Sequence, residues 1–167
     1  MLENNRSKKE MLINEKIVEE RIKERSSKLE LIPINYYVLK ASTTTFNPVD
    51  GATYYFGSLL WSVNTNEGYA KFYVPLKSKL KRVDIFCYSN GNASNENIAH
   101  YVRKNGSSDI SLGNANFGGT QFLRLVKTDL SVIFEDTDYF EIKIVCPTWA
   151  TNPTNWLHNV NLLFEVL

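Results

Sequence analysis

The run PTWATNPTNW, Pro147 to Trp156, holds the residues best suited to gripping a sugar. Trp149 and Trp156 offer flat indole faces that stack on sugar rings. Asn152, Thr154 and Asn155 offer amides and a hydroxyl that bond sugar hydroxyls. The same composition has a second reading, in which Pro147 and Pro153 hold an extended crossover and the indoles plug a domain end or a subunit contact. Glu135, Asp136 and Asp138 form an acidic cluster. Paired carboxylates can hydrolyse glycosidic bonds, but three acids beside a turn are the ordinary make-up of a solvated turn. His100 shares a face with Ile98 and Val102, which suits a core or subunit-contact residue better than a general base.

Two thiols complete the reactive inventory. Cys87 and Cys146 lie in the apolar runs RVDIFCYS and FEIKIVCP and read as buried, reduced cysteines. A disulfide between neighbouring strands would need matched geometry and an oxidising compartment. With His100 and His158, the two cysteines show no metal-ligand spacing. There is no Gly-rich phosphate loop, no H-E-x-x-H and no G-x-S-x-G elbow. The expectation is a protein that is not an enzyme, with no catalytic residues, no cofactor and no metal.

The elements that must position these residues change character at Pro33. From Arg6 to Leu31 there is no Gly or Pro, and good helix formers dominate. Met11, Val18, Ile22 and Leu29 recur at spacings of seven, four and seven, a narrow coiled-coil seam. Glu15 and Arg25 interrupt it, so the seam is weak alone and a head domain must supply much of any oligomer contact. After Pro33, apolar and polar residues alternate in short runs. Val83, Ile85 and Cys87 share a face, as do Ile98, His100 and Val102. Phe140, Ile142, Ile144 and Cys146 alternate with Glu141 and Lys143, and Val160, Leu162, Phe164 and Val166 form a further set. Asn105-Gly106 and Asp50-Gly51 are turn signals. This predicts an all-β, antiparallel β-sandwich or jelly roll with an N-terminal α-helical, coiled-coil-like stalk. The divisions expected are residues 1–32 for the stalk, 33–47 for a linker and first strand, and 48–167 for the sandwich head. The polar loops Ser89–Asn97 and Gly113–Gly119 should cluster at one end of it.

Bulk properties agree with a modest domain plus an appendage. The 167 residues are 43% hydrophobic and 13% aromatic, with a formal net charge of +1. Near-neutrality gives no reason to expect nucleic acid, and no apolar run is long enough to span a bilayer. The polar opening MLENNRSKKE is not a secretory signal.

The segments DGATYYFG (Asp50–Gly57), FYVPLKSKLKRVDIFCY (Phe72–Tyr88), NENIAHYVRKNG (Asn95–Gly106) and DYFEIKIVCPTWATNPT (Asp138–Thr154) resemble a β domain widespread in tailed-bacteriophage structural proteins. It is similar to the C-terminal, jelly-roll-like domain of phage fibre, spike and capsid-decoration proteins. The resemblance covers roughly Pro48 to Leu167 and not the stalk. It implies a virion component, often a homotrimer, displayed on the particle surface after synthesis in the host cytoplasm. A capsid or tail protein would hold the N-terminal helix, and a host surface glycan is a further contact for the head. The seam by itself does not separate dimer from trimer. Two other classes stand beside this one: a free carbohydrate-binding module using Trp149 and Trp156, and a glycan-cleaving enzyme using Glu135, Asp136 or Asp138.

Overall fold

The computed structural model describes residues 16–21, 35–57, 65–66, 68, 70–91 and 93–167. The chain divides into two compact units, Met1–Ile34 and Asn35–Leu167. In the first, residues 16–21 are helical and exposed. Val18 is the seam residue among them; Met11, Ile22 and Leu29 lie outside the described residues, as does most of the expected stalk.

The second unit is all β. Its strands are β1 (Tyr36–Ser42), β2 (Thr53–Phe56), β3 (Phe72–Tyr73), β4 (Ser78–Tyr88), β5 (Ile98–Lys104), β6 (Ser108–Ala115), β7 (Phe122–Lys127), β8 (Val132–Phe134), β9 (Tyr139–Val145) and β10 (Leu157–Val166). One sheet runs β1-β10-β4-β7, with β8 also on β4; the other runs β2-β9-β5-β6, with β3 also on β9. Every pairing is antiparallel. The chain therefore crosses from one sheet to the other repeatedly, and each sheet is built from distant segments.

The period-two pattern explains the core. Along β10, His158, Val160, Leu162 and Phe164 are buried while Asn159 is exposed. Ile98, His100 and Val102 of β5 and Phe140, Ile142 and Ile144 of β9 face them from the second sheet. Aromatic contacts join the layers: Phe134 meets Phe140 at 6.3 Å, and Phe140 meets Phe164 at 6.1 Å between ring centroids. Such interdigitation of two inner faces is the physical basis of a sandwich.

Three details depart from a simple reading of the alternation. β1 pairs with β10 from Tyr36↔Glu165 to Ser42↔Asn159, so it belongs to the sandwich and the head begins at Asn35, not at residue 48. In β4, Leu80 and Val83 are both buried although three residues apart. A β-bulge opposite Leu163/Phe164 absorbs the extra residue and resets the parity. Glu141, expected on a polar face, is fully buried, and its Oε1 accepts hydrogen bonds from the amides of Gly68 (2.7 Å) and Ala70 (3.2 Å).

Candidate functional site

The Pro147–Trp156 crossover is stitched to two neighbouring loops. Asn152 Nδ2 donates to Asp50 Oδ1 at 2.8 Å, and the Trp149 amide donates to the same oxygen at 3.3 Å. The Thr151 amide donates to Ser94 Oγ at 2.8 Å, and the Thr154 amide to Ser89 Oγ at 3.1 Å. Asn155 takes a positive φ of 47° and its amide donates to Asn47 Oδ1. Trp149 is 5% exposed and Trp156 is 0% exposed. Their rings meet edge to face at 6.0 Å, and Trp156 also packs on Phe46 at 5.5 Å and Phe117 at 6.1 Å. A sugar cannot reach a buried indole face, so Trp149, Asn152, Asn155 and Trp156 do not form the glycan platform that their composition suggested. Pro153 is buried with the two indoles, and Trp156 is fixed further by its backbone bridge to Phe46.

The acidic turn is likewise committed to structure. Asp138 is ion-paired with Lys104 at 2.7 Å, accepts from Asn105 Nδ2 at 2.6 Å and from the Glu135 amide at 2.8 Å. Burial alone would raise its pKa; the bonds from Asn105, Lys104 and the Glu135 amide outweigh that and hold it at about 2. A carboxyl so acidic stays ionised near neutral pH and cannot donate a proton as a general acid there. Glu135 pairs with Lys77 at 3.0 Å. The turn thus clamps the β8–β9 connection to the β5–β6 hairpin.

The sheets also assemble a cluster with no counterpart in the sequence spacing. Cys87 on β4 and His158 on β10 are direct cross-strand partners. His100 on β5 faces them from the other sheet, with ring centroids of the two histidines 5.7 Å apart. All three residues are 0% exposed, and one ligand atom from each falls within 4.8 Å of the others. His100 Nδ1 lies 3.1 Å from the Ile98 carbonyl oxygen. Nε2 of His100 and both ring nitrogens of His158 have no hydrogen-bond partner among the described residues. Burial lowers His100 to about 4, and burial together with neighbouring His100 takes His158 well below the ordinary imidazole range. Burial pushes the Cys87 thiol up; Cys146, buried and also beside the Asp50 charge, rises to about 12. Both cysteines are free. The period-two rule could have put His158 on the inward face, two residues before Val160, but nothing local announces that three inward residues from three strands converge.

The outer face of the β1-β10-β4-β7 sheet carries the remaining feature. Phe86 (45% exposed), Phe122 (55%) and Val126 (38%) stand in water on β4 and β7. Phe122 touches Phe86 at 5.9 Å and Tyr88 at 5.4 Å between centroids. Beside them an open groove of about 360 Å³ is lined by Arg82, Asp84, Ile85, Phe86, Arg124 and Asn161. Arg82 donates two hydrogen bonds to Asp84, each 2.7 Å, and this holds the Asp84 carboxyl below its usual range. Tyr36 and Val38 of β1 are half exposed on the same sheet. No described helix is long and apolar enough to cross a membrane.

Neither a known protein family nor a curated relative matches this sequence. Among solved structures, one described as "CBM4 structure and function" overlaps 81% of this chain and 94% of its own at 10% identity, with a TM-score of 0.31. An overlap that loose decides neither fold nor function.

Proposed function

We propose that this chain is an oligomeric attachment and display protein of a bacteriophage particle. A helical N-terminal segment fastens it to a capsid or tail partner, and a jelly-roll head stands on the virion surface. The virion setting is suggested by the resemblance of the Asp50–Gly57, Phe72–Tyr88, Asn95–Gly106 and Asp138–Thr154 segments. The strand orders support the jelly-roll reading, because successive strands interlock the two sheets as two Greek keys do. The observation that carries the oligomer reading is the exposed pair Phe86 and Phe122, whose rings touch each other and, through Phe122, Tyr88. Apolar side chains exposed singly are ordinary, whereas aromatic rings packed together in the open suit a contact surface. Copies of the head meeting through this sheet, as a homotrimer, would cover it. Display needs no covalent chemistry, and the acidic turn is already spent on ion pairs and hydrogen bonds.

Molar mass of the full-length protein by light scattering tests this directly. A trimer is expected, and Phe122→Glu should dissociate it while leaving the unfolding midpoint of the subunit nearly unchanged, since exposed positions shift stability by about 0.5 kcal/mol or less. A monomer at every concentration would end the oligomer reading.

The groove supports a second reading, a carbohydrate-binding sandwich. It sets the Phe86 ring beside the Asp84 carboxylate and the Asn161 amide, a stacking surface next to hydrogen-bonding groups. That reading expects a monomer retarded in a polysaccharide gel, with retardation lost in Phe86→Ala and kept in Trp149→Phe.

A further inference from the structure

Cys87, His100 and His158 have no part in display, and their arrangement is expensive for a core that needs only volume. Three ring nitrogens lie in the dry interior without partners. Each buried polar atom left unsatisfied costs about 1–3 kcal/mol, whereas a Leu or Phe would fill the same space freely. A bound cation would use these lone pairs.

The local chemistry is set up for that. A carbonyl oxygen can only accept, so His100 Nδ1 carries the proton in its contact with Ile98. Nε2 is then the lone-pair nitrogen, held in orientation by the backbone as ligating histidines commonly are. Cys87 and His158 come from adjacent strands of one sheet and His100 from the other. Trp156 packs on the His158 ring at 4.2 Å and Phe56 at 5.5 Å, which keeps water away. Bonds of about 2.0–2.3 Å to imidazole and thiolate place donor atoms roughly 3.5–4 Å apart. The observed limit of 4.8 Å is within about 1 Å of that.

Charge selects the ion. One thiolate and two neutral imidazoles total one negative charge, and no carboxylate belongs to the cluster. A monovalent cation leaves the core neutral. A divalent one would bury a net positive charge, which is costly. Thiolate with imidazole is a soft donor set that suits Cu(I), an ion content with three ligands. We propose that Cys87, His100 and His158 form a closed, three-coordinate Cu(I) site, loaded as the two sheets close during folding. Binding forms one Cu–S and two Cu–N bonds. The Cys87 thiol proton leaves to solvent, and copper enters and stays as Cu(I), so no electron is transferred. One nitrogen of His158 remains without a partner in place of three.

The test refolds the full-length chain without oxygen, in Cu(I) buffered by a colorimetric chelator, and then removes excess metal. Retention of one copper per chain, with a raised melting temperature, is expected. Cys146→Ser should behave like the parent, because that thiol lies outside the cluster. Cys87→Ser should retain at least tenfold less copper. Since a buried hydroxyl can itself impair folding, His158→Phe serves as the second variant: it replaces the orphaned imidazole with an apolar ring, should fold at least as stably as the unloaded parent, and should hold no copper. Zn(II) offered in the same way should be lost on desalting. The site is overturned if the parent keeps no copper, if Cys87→Ser and folded His158→Phe keep as much as the parent, if Cys146→Ser loses it equally, or if zinc is held in preference.

Discussion

Asp138 shows how a single side chain can look catalytic and serve as a fastener. Its carboxylate collects Lys104, Asn105 and the Glu135 amide, so the hairpin tip and the β8–β9 turn share one anion. Because the folded carboxyl ionises at about 2 instead of the ordinary 3.8, its contribution is whole above about pH 4 and drains away as the pH falls toward 2. Asp138→Asn should therefore unfold more easily at pH 7, by about 1–2 kcal/mol. Thermal melts of parent and variant should converge as the pH falls from 4 to 2; a gap that persists unchanged at pH 2 would mean that the charge is not what holds the turn. Trp156 makes the opposite case, a residue of binding type used as core. It touches Phe46, Phe117, Trp149 and His158. Trp156→Ala leaves a cavity at the end of the sandwich and should cost about 3–5 kcal/mol in urea unfolding. A loss below about 1 kcal/mol would return the indole to the list of available ligand contacts.

Elements were legible where their signal is local. Asn105 and Gly106 take φ of 51° and 66° between β5 and β6, as a tight turn of two left-handed residues requires. The inward sets of β4, β5, β9 and β10 follow from alternation because each strand turns every second side chain to the core. Of the expected loop Gly113–Gly119, residues 113–115 belong to β6, while Asn116 beyond them donates to Asn97 of the Ser89–Asn97 segment. What sequence could not supply was partnership. β1 reads as a first strand outside the head until its pairing with β10 is known, and Glu141 reads as solvated until the chain at Gly68 and Ala70 lies over it. The Cys87, His100 and His158 cluster needs three strands at once, at separations no spacing rule spans. Gly57 is a further case, since its requirement is a neighbour's backbone. A Cβ there would sit 2.1 Å from the Ala70 carbonyl oxygen. Gly57→Ala must push β2 or the covering segment aside, and a loss of about 1–3 kcal/mol is expected in the melting curve. An unshifted melt would show that the cover over β2 and Glu141 yields freely.

At the scale of the whole molecule the question is which unit would hold the proposed oligomer together. The described helical residues 16–21 expose Ile17 and Val18, and a seam that interrupted contributes little by itself. The sandwich has its own continuous core from Ala41 to Phe164, and its strands pair with one another from Tyr36 onward. Residues 35–167 alone should therefore fold cooperatively, with the full set of β pairings and an unfolding transition close to that of the intact chain. If the head supplies most of the contact, this fragment should still associate, more weakly than the full-length protein, and Phe122→Glu should make it a monomer. The full-length Phe122→Glu protein should then fall apart as well, because the remaining seam is too short to hold the subunits. Sedimentation of the four proteins across a range of concentrations separates the possibilities. A fragment that stays monomeric while the intact chain is an oligomer would move the contact to the stalk, and an unfolded fragment would show that the first 34 residues are part of what makes the sandwich stable.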